Sequence, residues 1–307
     1  MNALQKFGGI NITASRLQII ELEIESNHFS VNNVGQTFLS PAINFDDPAE
    51  EIIFPQIQNA FEEIKIRNGF NCSFASFTLP PELFLTIQLP YDSNLNQKEI
   101  RDEFSWEISQ LFPFVPVEEL ALKFYDLESK FLQGRNNALV VALPKKYLML
   151  LKKFCSINNL QPKLVDNASI SANSFINSSR NEINNFIGIN LYNSKNSITL
   201  FINISSKPAY IKVFNKSDKN LISTIVNELR QERFEKIFNQ SQSSGAICGE
   251  DIGIDAIAQL EQELNIKFEN FDPFNIIKFK DDAHSFEIPL DYYSSFTPAV
   301  GVASRYN

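Results

Sequence analysis

A chain of 307 residues with 44% hydrophobic content holds one large domain or two medium ones with real cores, the profile of an ordinary soluble protein. Its formal charge of −9 disfavours non-specific binding to nucleic acid or anionic lipid, both of which want basic patches, so any membrane contact is expected through a partner. No apolar run approaches the ~20 residues that span a bilayer, and MNALQKFGG lacks the basic and apolar regions of a signal peptide, which makes the cytoplasm the expected location.

Alternation predicts strands over Phe7 to Ile12, Leu17 to Glu25 and roughly Phe29 to Val34. Asp46-Asp47-Pro48 opens a helical pattern with Ile53, Ile57, Phe61 and Ile64 on one face, ending at Asn68-Gly69; the strand Cys72 to Leu79 follows, and Pro80-Pro81 closes the unit. A different unit starts near Glu82, with the strand LFLTIQLP and a helix striped by Ile100, Phe104, Ile108 and Leu111. Phe112-Pro113-Phe114-Val115-Pro116 stops that helix. Strands LALKFYDLE and NALVVALP come next, then the helix KKYLMLLKKFCSINNL, striped by Tyr147, Leu151 and Phe154; Ile100, Phe104, Ile108, Leu111, Leu151 and Phe154 are expected in the core of this unit. The strand PKLVDNAS and a helix from Ser169 return to the first unit, and SSRNEINN (Ser178 to Asn185) reads as a polar linker. Beyond it are expected a helix from Leu221 to about Phe238, a turn SGAICGED, a helix from Asp255 to Leu264 and a short terminal helix in SSFTPAVGVASR.

One segment occurs twice: GGINITASRLQIIELEI (Gly8 to Ile24) and GINLYNSKNSITLFINI (Gly188 to Ile204). Each runs strand, Gly-Ile-Asn, polar turn, β-branched strand, which points to an internal duplication. A hairpin placed once in each half is how two-lobed phosphotransferase-like folds grip a nucleotide, with backbone N–H groups and an acid facing the phosphates. Here the acids and the turn glycines are missing.

No residue set makes a convincing catalytic site. His28 and His284 sit in polar surroundings without metal-ligand spacing, and the pairs Asp46-Asp47, Glu50-Glu51, Glu118-Glu119 and Asp281-Asp282 read as helix starts and solvated faces. Cys72, Cys155 and Cys248 lack Cys-x-x-Cys spacing and are expected as buried, inert thiols. The Asn-x-Ser/Thr triplets at Asn11, Asn71, Asn167, Asn177, Asn203 and Asn239 reflect an Asn-rich composition, and Trp106 reads as core. No P-loop, GxSxG or HExxH string is present.

The order of elements resembles the actin-like type IV pilus assembly family PilM, relatives of the cell-division protein FtsA. The resemblance is carried by GGINITASRLQIIEL, EIRDEFSWEISQLFPFVPVEELALKFYDLE, ALVVALPKKYLMLLKKFCSINNLQPKLVDNASISA, LEQELNIKFENFDPF and FTPAVGVASR. It implies an α/β, two-lobed actin-like (RNase H-like, duplicated) fold with an inserted FtsA/PilM-type α+β subdomain and a reduced second lobe. The expected division is 1–81 plus 164–185 for the first lobe, 82–163 for the insertion and 186–307 for the second lobe. The family's first phosphate turn reads like G-L-D-I-G-S-S-S-V-K, and matching without gaps places Asn11 at its Asp, Thr13 at its Gly and Gln18 at its Lys; the second turn puts Asn190 at the Asp and Tyr192 at the Gly. Amides in place of acids remove the hard ligand that Mg²⁺ prefers, and Cβ atoms at Thr13 and Tyr192 stand where glycine admits a phosphate. The nucleoside turn keeps Gly249 but carries Glu250 and Asp251, and a carboxylate ~4 Å from a phosphate charge costs up to about 4 kcal/mol. The resemblance therefore implies a pseudo-ATPase with no cofactor or metal, a cytoplasmic scaffold held at the inner membrane by the N-terminal peptide of a PilN-like partner. That peptide is expected around Leu83 to Leu89, where acidic surroundings favour Arg or Lys. Neither nucleic-acid binding nor direct membrane insertion is expected, homo-oligomers are open, and the alternatives are a GspL-like type II secretion component or an active actin-like ATPase that binds Mg-ATP.

Overall fold

The computed structural model describes residues 5–25, 28–45, 50–128, 134–180, 186–218, 220–238, 243–250, 254–280 and 288–305. His284, Asp251, Asp46-Asp47 and Asp281-Asp282 lie outside them. Three strands open the chain, β1 (Gln5–Ile12), β2 (Arg16–Glu25) and β3 (His28–Phe38), followed by helix α1 (Glu50–Asn68) and strand β4 (Phe74–Leu79). After the added β5 (Leu85–Pro90), α2 (Gln97–Leu111), β6 (Leu120–Leu127) and β7 (Asn137–Pro144), the chain returns through α3 (Lys145–Ile157), β8 (Gln161–Asn167) and α4 (Ala168–Ser179). The second half repeats the plan: β9 (Ile187–Asn193), β10 (Ser197–Ile204), β11 (Lys207–Asn215), α5 (Leu221–Leu229), α6 (Glu232–Phe238), β12 (Ser243–Gly249), α7 (Ile254–Leu264), β13 (Phe268–Asn270) and α8 (Thr297–Ser304).

The duplication is visible in the sheets. The first has the order β3-β2-β1-β4-β8 and the second β11-β10-β9-β12-β13, each an antiparallel meander continued by two parallel strands. A third sheet, β5-β7-β6, belongs to the first half and has no counterpart among the described residues of the second. The expected single helix after Leu221 is two, broken at Arg230-Gln231, and most of SGAICGED is strand β12, not a turn. Its Gly245 is required because the Phe268 ring lies 2.2 Å from where a Cβ would stand.

Period-2 alternation sorts each strand between two cores. Ile10, Ile12, Leu17 and Ile19 pack under α1 and α3, whereas Ile20 and Leu22 face α4 and α8 in a core shared by both lobes. In the second lobe Ile189, Leu191, Leu200 and Ile202 pack under α5 and α7. Between the lobes α4 and α8 touch backbone to backbone: a Cβ on Gly301 would meet Ser171 O at 2.3 Å, and one on Gly9 would meet Ala299 O at 2.0 Å. A helix that follows the second lobe thus lies directly on β1 of the first.

The added sheet is covered on both faces. Leu89, Ala138 and Val140 pack on Ile100, Phe104 and Ile108 of α2, while Leu127, Leu139 and Val141 pack on Phe201 and Ile211 of the second lobe. Two expectations for this unit are corrected. Leu111 ends α2 at 54% exposure, and Leu151 and Phe154 belong to the first-lobe core, with Phe154 edge-on to Phe61 and Phe77 at 5.0 and 6.0 Å. Helix α3 is therefore the crossover between β4 and β8, packed on the first sheet. Trp106, expected in the core, is 61% exposed on the outer face of α2.

Candidate functional site

The two hairpin turns face one another across the cleft between the lobes, and both are closed by their own side chains. In the first, Thr13 N donates to Arg16 O at 3.0 Å, and the Thr13 hydroxyl accepts from Arg16 N at 3.1 Å and Ser15 N at 3.3 Å. In the second, Ser194 N donates to Ser197 O at 2.9 Å, and Ser197 N donates to Ser194 Oγ at 3.2 Å. A phosphate-binding turn works through free N–H groups; here hydroxyls of the turns take those of Ser15, Arg16 and Ser197.

Behind the first turn the polar side chains form a closed set. Asn11 Nδ2 donates to Gln18 Oε1 at 2.9 Å and Thr78 Oγ1 donates to Asn11 Oδ1 at 2.9 Å, while Gln18 Nε2 reaches Ser295 Oγ at 2.6 Å and Gln36 Oε1 at 3.3 Å. Asn11 and Gln18 are fully buried. Such a network is stable because each amide has partners on both ends.

The register shifts the second match. Asn11 pairs with Gln18 two residues before Thr13, and Tyr192 pairs with Thr199 two residues before Ser194, so Tyr192 is the counterpart of Asn11 and Ser194 that of Thr13. Asn190 lies deeper in β9, among the amides of α4: its Nδ2 donates to Asn173 Oδ1 at 2.8 Å and to Asn177 Oδ1 at 3.2 Å. Tyr192 is buried in the interlobe core, and burial, with the nearby Cys248, Glu250 and Glu82, pushes its phenol well up.

Gly249 (φ +105) ends β12, where a Cβ would stand 2.3 Å from Asn193 O, and Glu250 N donates to that same oxygen at 2.7 Å. Glu250 lines the cleft with Thr13, Tyr192, Ser194, Lys195 and Glu82. The cleft encloses about 180 Å³, below the roughly 300–1,000 Å³ usual for small-molecule sites. Glu250 does not stand alone: Lys195 shares the cleft and the Lys216 ammonium feels both Glu250 and Glu82, although burial pulls it below its usual range. The expected repulsion of a phosphate is thereby partly offset.

Glu82 is the residue that sequence reasoning missed. It sits in the 3-10 turn Pro81–Leu83 after β4 and crosses to the second turn, accepting from Ser197 Oγ at 2.9 Å and from Ser194 Oγ. An acid after Pro-Pro was its one visible signal.

A second depression lies where the added sheet meets the first lobe. Phe84, Leu122, Val141, Leu143, Leu148 and Val165 line it, with Lys123, Tyr125 and Asp166 as its polar groups. Tyr125 Oη donates to Asp166 Oδ1 at 3.2 Å and Arg305 bonds the other carboxylate oxygen, so the acid is already neutralised. Of the segment Leu83 to Leu89, Phe84 lines this groove. Ala121, Leu122, Lys123 and Tyr125 of the lining come from β6, an edge strand that among the described residues pairs only with β7.

Cys155 and Cys248 are buried, which pushes their thiols up to about 12, and the half-buried Cys72 is pushed higher by burial and by Glu21. His28 is exposed. Among the described residues no group of three His, Cys, Asp or Glu could hold a metal, and no helix is long and apolar enough to cross a membrane.

A family model described as type IV pilus assembly protein PilM matches residues 9–221, well over half of the chain. The chain belongs to the PilM family. The solved PilM-PilN type IV pilus biogenesis complex is similar over 97% of this chain and 97% of its own, at 16% identity and a TM-score of 0.71. A Bacteroides thetaiotaomicron protein with an actin-like ATPase fold and unknown function covers 86% of this chain and 90% of its own, at 10% identity and a TM-score of 0.55. At such identities these likenesses establish the actin-like fold. No curated protein sequence matches the chain. Within the PilM frame, the matched span takes in the first hairpin, the added sheet and the second hairpin, ending at the start of α5.

Proposed function

We propose that this PilM-family chain is a non-catalytic scaffold of a type IV pilus machine, which holds the N-terminal tail of an inner-membrane PilN-like partner and does not use nucleotide. The observation that carries the reading is the state of the two turns: the Thr13 hydroxyl accepts from Ser15 N and Arg16 N, and the Ser194 hydroxyl from Ser197 N, N–H groups that an open turn would offer to a phosphate. Binding Mg-ATP would break those bonds, displace Glu82 from Ser194 and Ser197, and find the amide of Asn11 and the phenol of Tyr192 where carboxylates would hold the metal.

The groove between β6 and α3 supports the partner half of the reading. An extended apolar segment could add to the β6 edge while its side chains meet Leu122, Leu143 and Leu148. With Asp166 tied to Arg305, the groove selects for apolar side chains more than for Arg or Lys.

Two measurements on the full chain test this. Millimolar Mg-ATP should leave the melting temperature unchanged, whereas a ligand at 100 times its Kd adds about 2.7 kcal/mol; a rise of several degrees that sulfate does not reproduce refutes the pseudo-ATPase reading. A labelled N-terminal peptide from a neighbouring PilN-like protein should bind, and Leu148→Asp should abolish binding without unfolding the chain. Equal affinity for both proteins refutes the groove.

A further inference from the structure

We infer that Glu82 is a built-in anion that holds the two lobes closed in the position where a bound phosphate would otherwise tie them together. The inference rests on the pseudo-ATPase reading of the cleft, but its test uses neither nucleotide nor partner. Glu82 stands directly after β4 of the first lobe, and Ser194 and Ser197 flank the second-lobe turn; both hydroxyls converge on Glu82 Oε1. The serines are buried at 5% exposure and locked to each other, with Oγ atoms 3.0 Å apart and the Ser197 N–H on Ser194 Oγ. Two hydroxyls aimed at one point, with Lys195 in the same cleft and Lys216 within electrostatic reach of the carboxylate, make a cradle for negative charge. The carboxylate is presented to it by a stiff segment, because Pro80 and Pro81 fix the backbone immediately before Glu82.

The added sheet supplies two further ties to the second lobe. Gln88 Nε2 donates to Ile211 O at 2.7 Å, and Glu128 N donates to Pro208 O at 2.8 Å, both on β11. Phe201 and Ile211 are buried against Leu139 and Val141 beside these bonds. The second lobe is therefore fastened at the cleft by Glu82 and along β11 by the added sheet, so closure is a property of the chain alone.

Hydrogen exchange of the full chain, read by mass spectrometry without nucleotide, tests the assignment with Glu82→Ala and Glu82→Gln. The Ala variant should exchange the amides of 194–197 about tenfold faster, the scale of one lost charge-assisted hydrogen bond in an opening equilibrium, and β11 should follow in the same direction. The Gln variant keeps an acceptor oxygen without the charge and should fall between. Amides of α1 and β1 should keep wild-type rates, which separates opening of the lobes from loss of the fold. Wild-type exchange at 194–197 in Glu82→Ala, or the same acceleration in α1 as at 194–197, overturns the inference.

Discussion

Replacing Phe104 by alanine probes how the added unit is held. Its ring is wholly buried between α2 and the β5-β7-β6 sheet, edge-on to Phe124 at 5.4 Å and to Tyr91 at 6.4 Å, over Ala138 and Val140. Phe→Ala at such a site costs about 3–5 kcal/mol, of which the two ring pairs carry roughly 0.5–1.5 kcal/mol each. Small neighbours make collapse into the cavity difficult: Ala138 cannot reach further, and β7 is pinned from behind by Phe201 and Ile211. Among the described residues helix α2 has no such second support: its outer face carries the exposed Trp106, and the Asn96–Glu99 capping box secures only its start. The loss should therefore appear as opening of α2 before the rest, with exchange of its amides accelerated and those of α1 and α5 unchanged. A fall of less than about 1 kcal/mol in the opening free energy of α2 would mean that Phe104 does not bear on the sheet, and would refute the packing described.

Two other substitutions give results of defined sign. Gly301→Ala in α8 should stabilise by up to about 1 kcal/mol on helix propensity alone, yet its Cβ would stand 2.3 Å from Ser171 O, so the expected outcome is a lowered urea midpoint. An unchanged or raised midpoint would place α4 and α8 further apart. At Glu228, burial works to raise the carboxyl, but hydrogen bonds from Lys212 and Tyr210 and the charges of Lys212 and Arg233 outweigh it and hold it below its ordinary 4.5. A depressed carboxyl contributes stability that is present above pH 4.5 and lost as pH falls through the lower folded value. Glu228→Gln should flatten the acid limb of a melting-temperature profile taken over about pH 3 to 6, and an unaltered slope there would refute the assignment.

The architecture was legible because each hairpin alternates cleanly and α1 shows its stripe of Ile53, Ile57, Phe61 and Ile64. A stripe says that a face is buried, not against what, which is why Leu151 and Phe154 were expected beneath the wrong sheet. Leu111 continues the stripe of α2 but falls on its last residue, past the edge of the sheet it would cover. The segment SSGAICG looked like a turn because glycine composition outweighs five buried positions, and nothing local reveals that Gly245 serves a ring 23 residues away. At the second turn the repeated Gly-Ile-Asn drew the match to Asn190, whereas the matching chemistry is the hydroxyl pair Thr13 and Ser194, whose residues differ. Glu82 was invisible for a related reason: its partners are 112 and 115 residues away.

The closed cleft and the groove are linked through the added sheet, since Val141 lines the groove and packs on Phe201 and Ile211 behind it. Any opening of the lobes that moves β11 must disturb Val141, so, on the proposed reading of the groove, tail binding and closure would favour one another by the same free energy. The size of the effect depends on how often the lobes open. Affinity scales with the fraction of competent molecules, so a tenfold rise from an open population of about one in a thousand changes the Kd by only about 1%. Loss of Glu82 can then accelerate exchange markedly while leaving partner affinity almost unaltered, and the two become proportional only when the open form approaches half of the population. Exchange at 194–197 thus reports the tie at Glu82 directly, whereas a peptide titration reports the groove. The two experiments address separate links even though one sheet joins them.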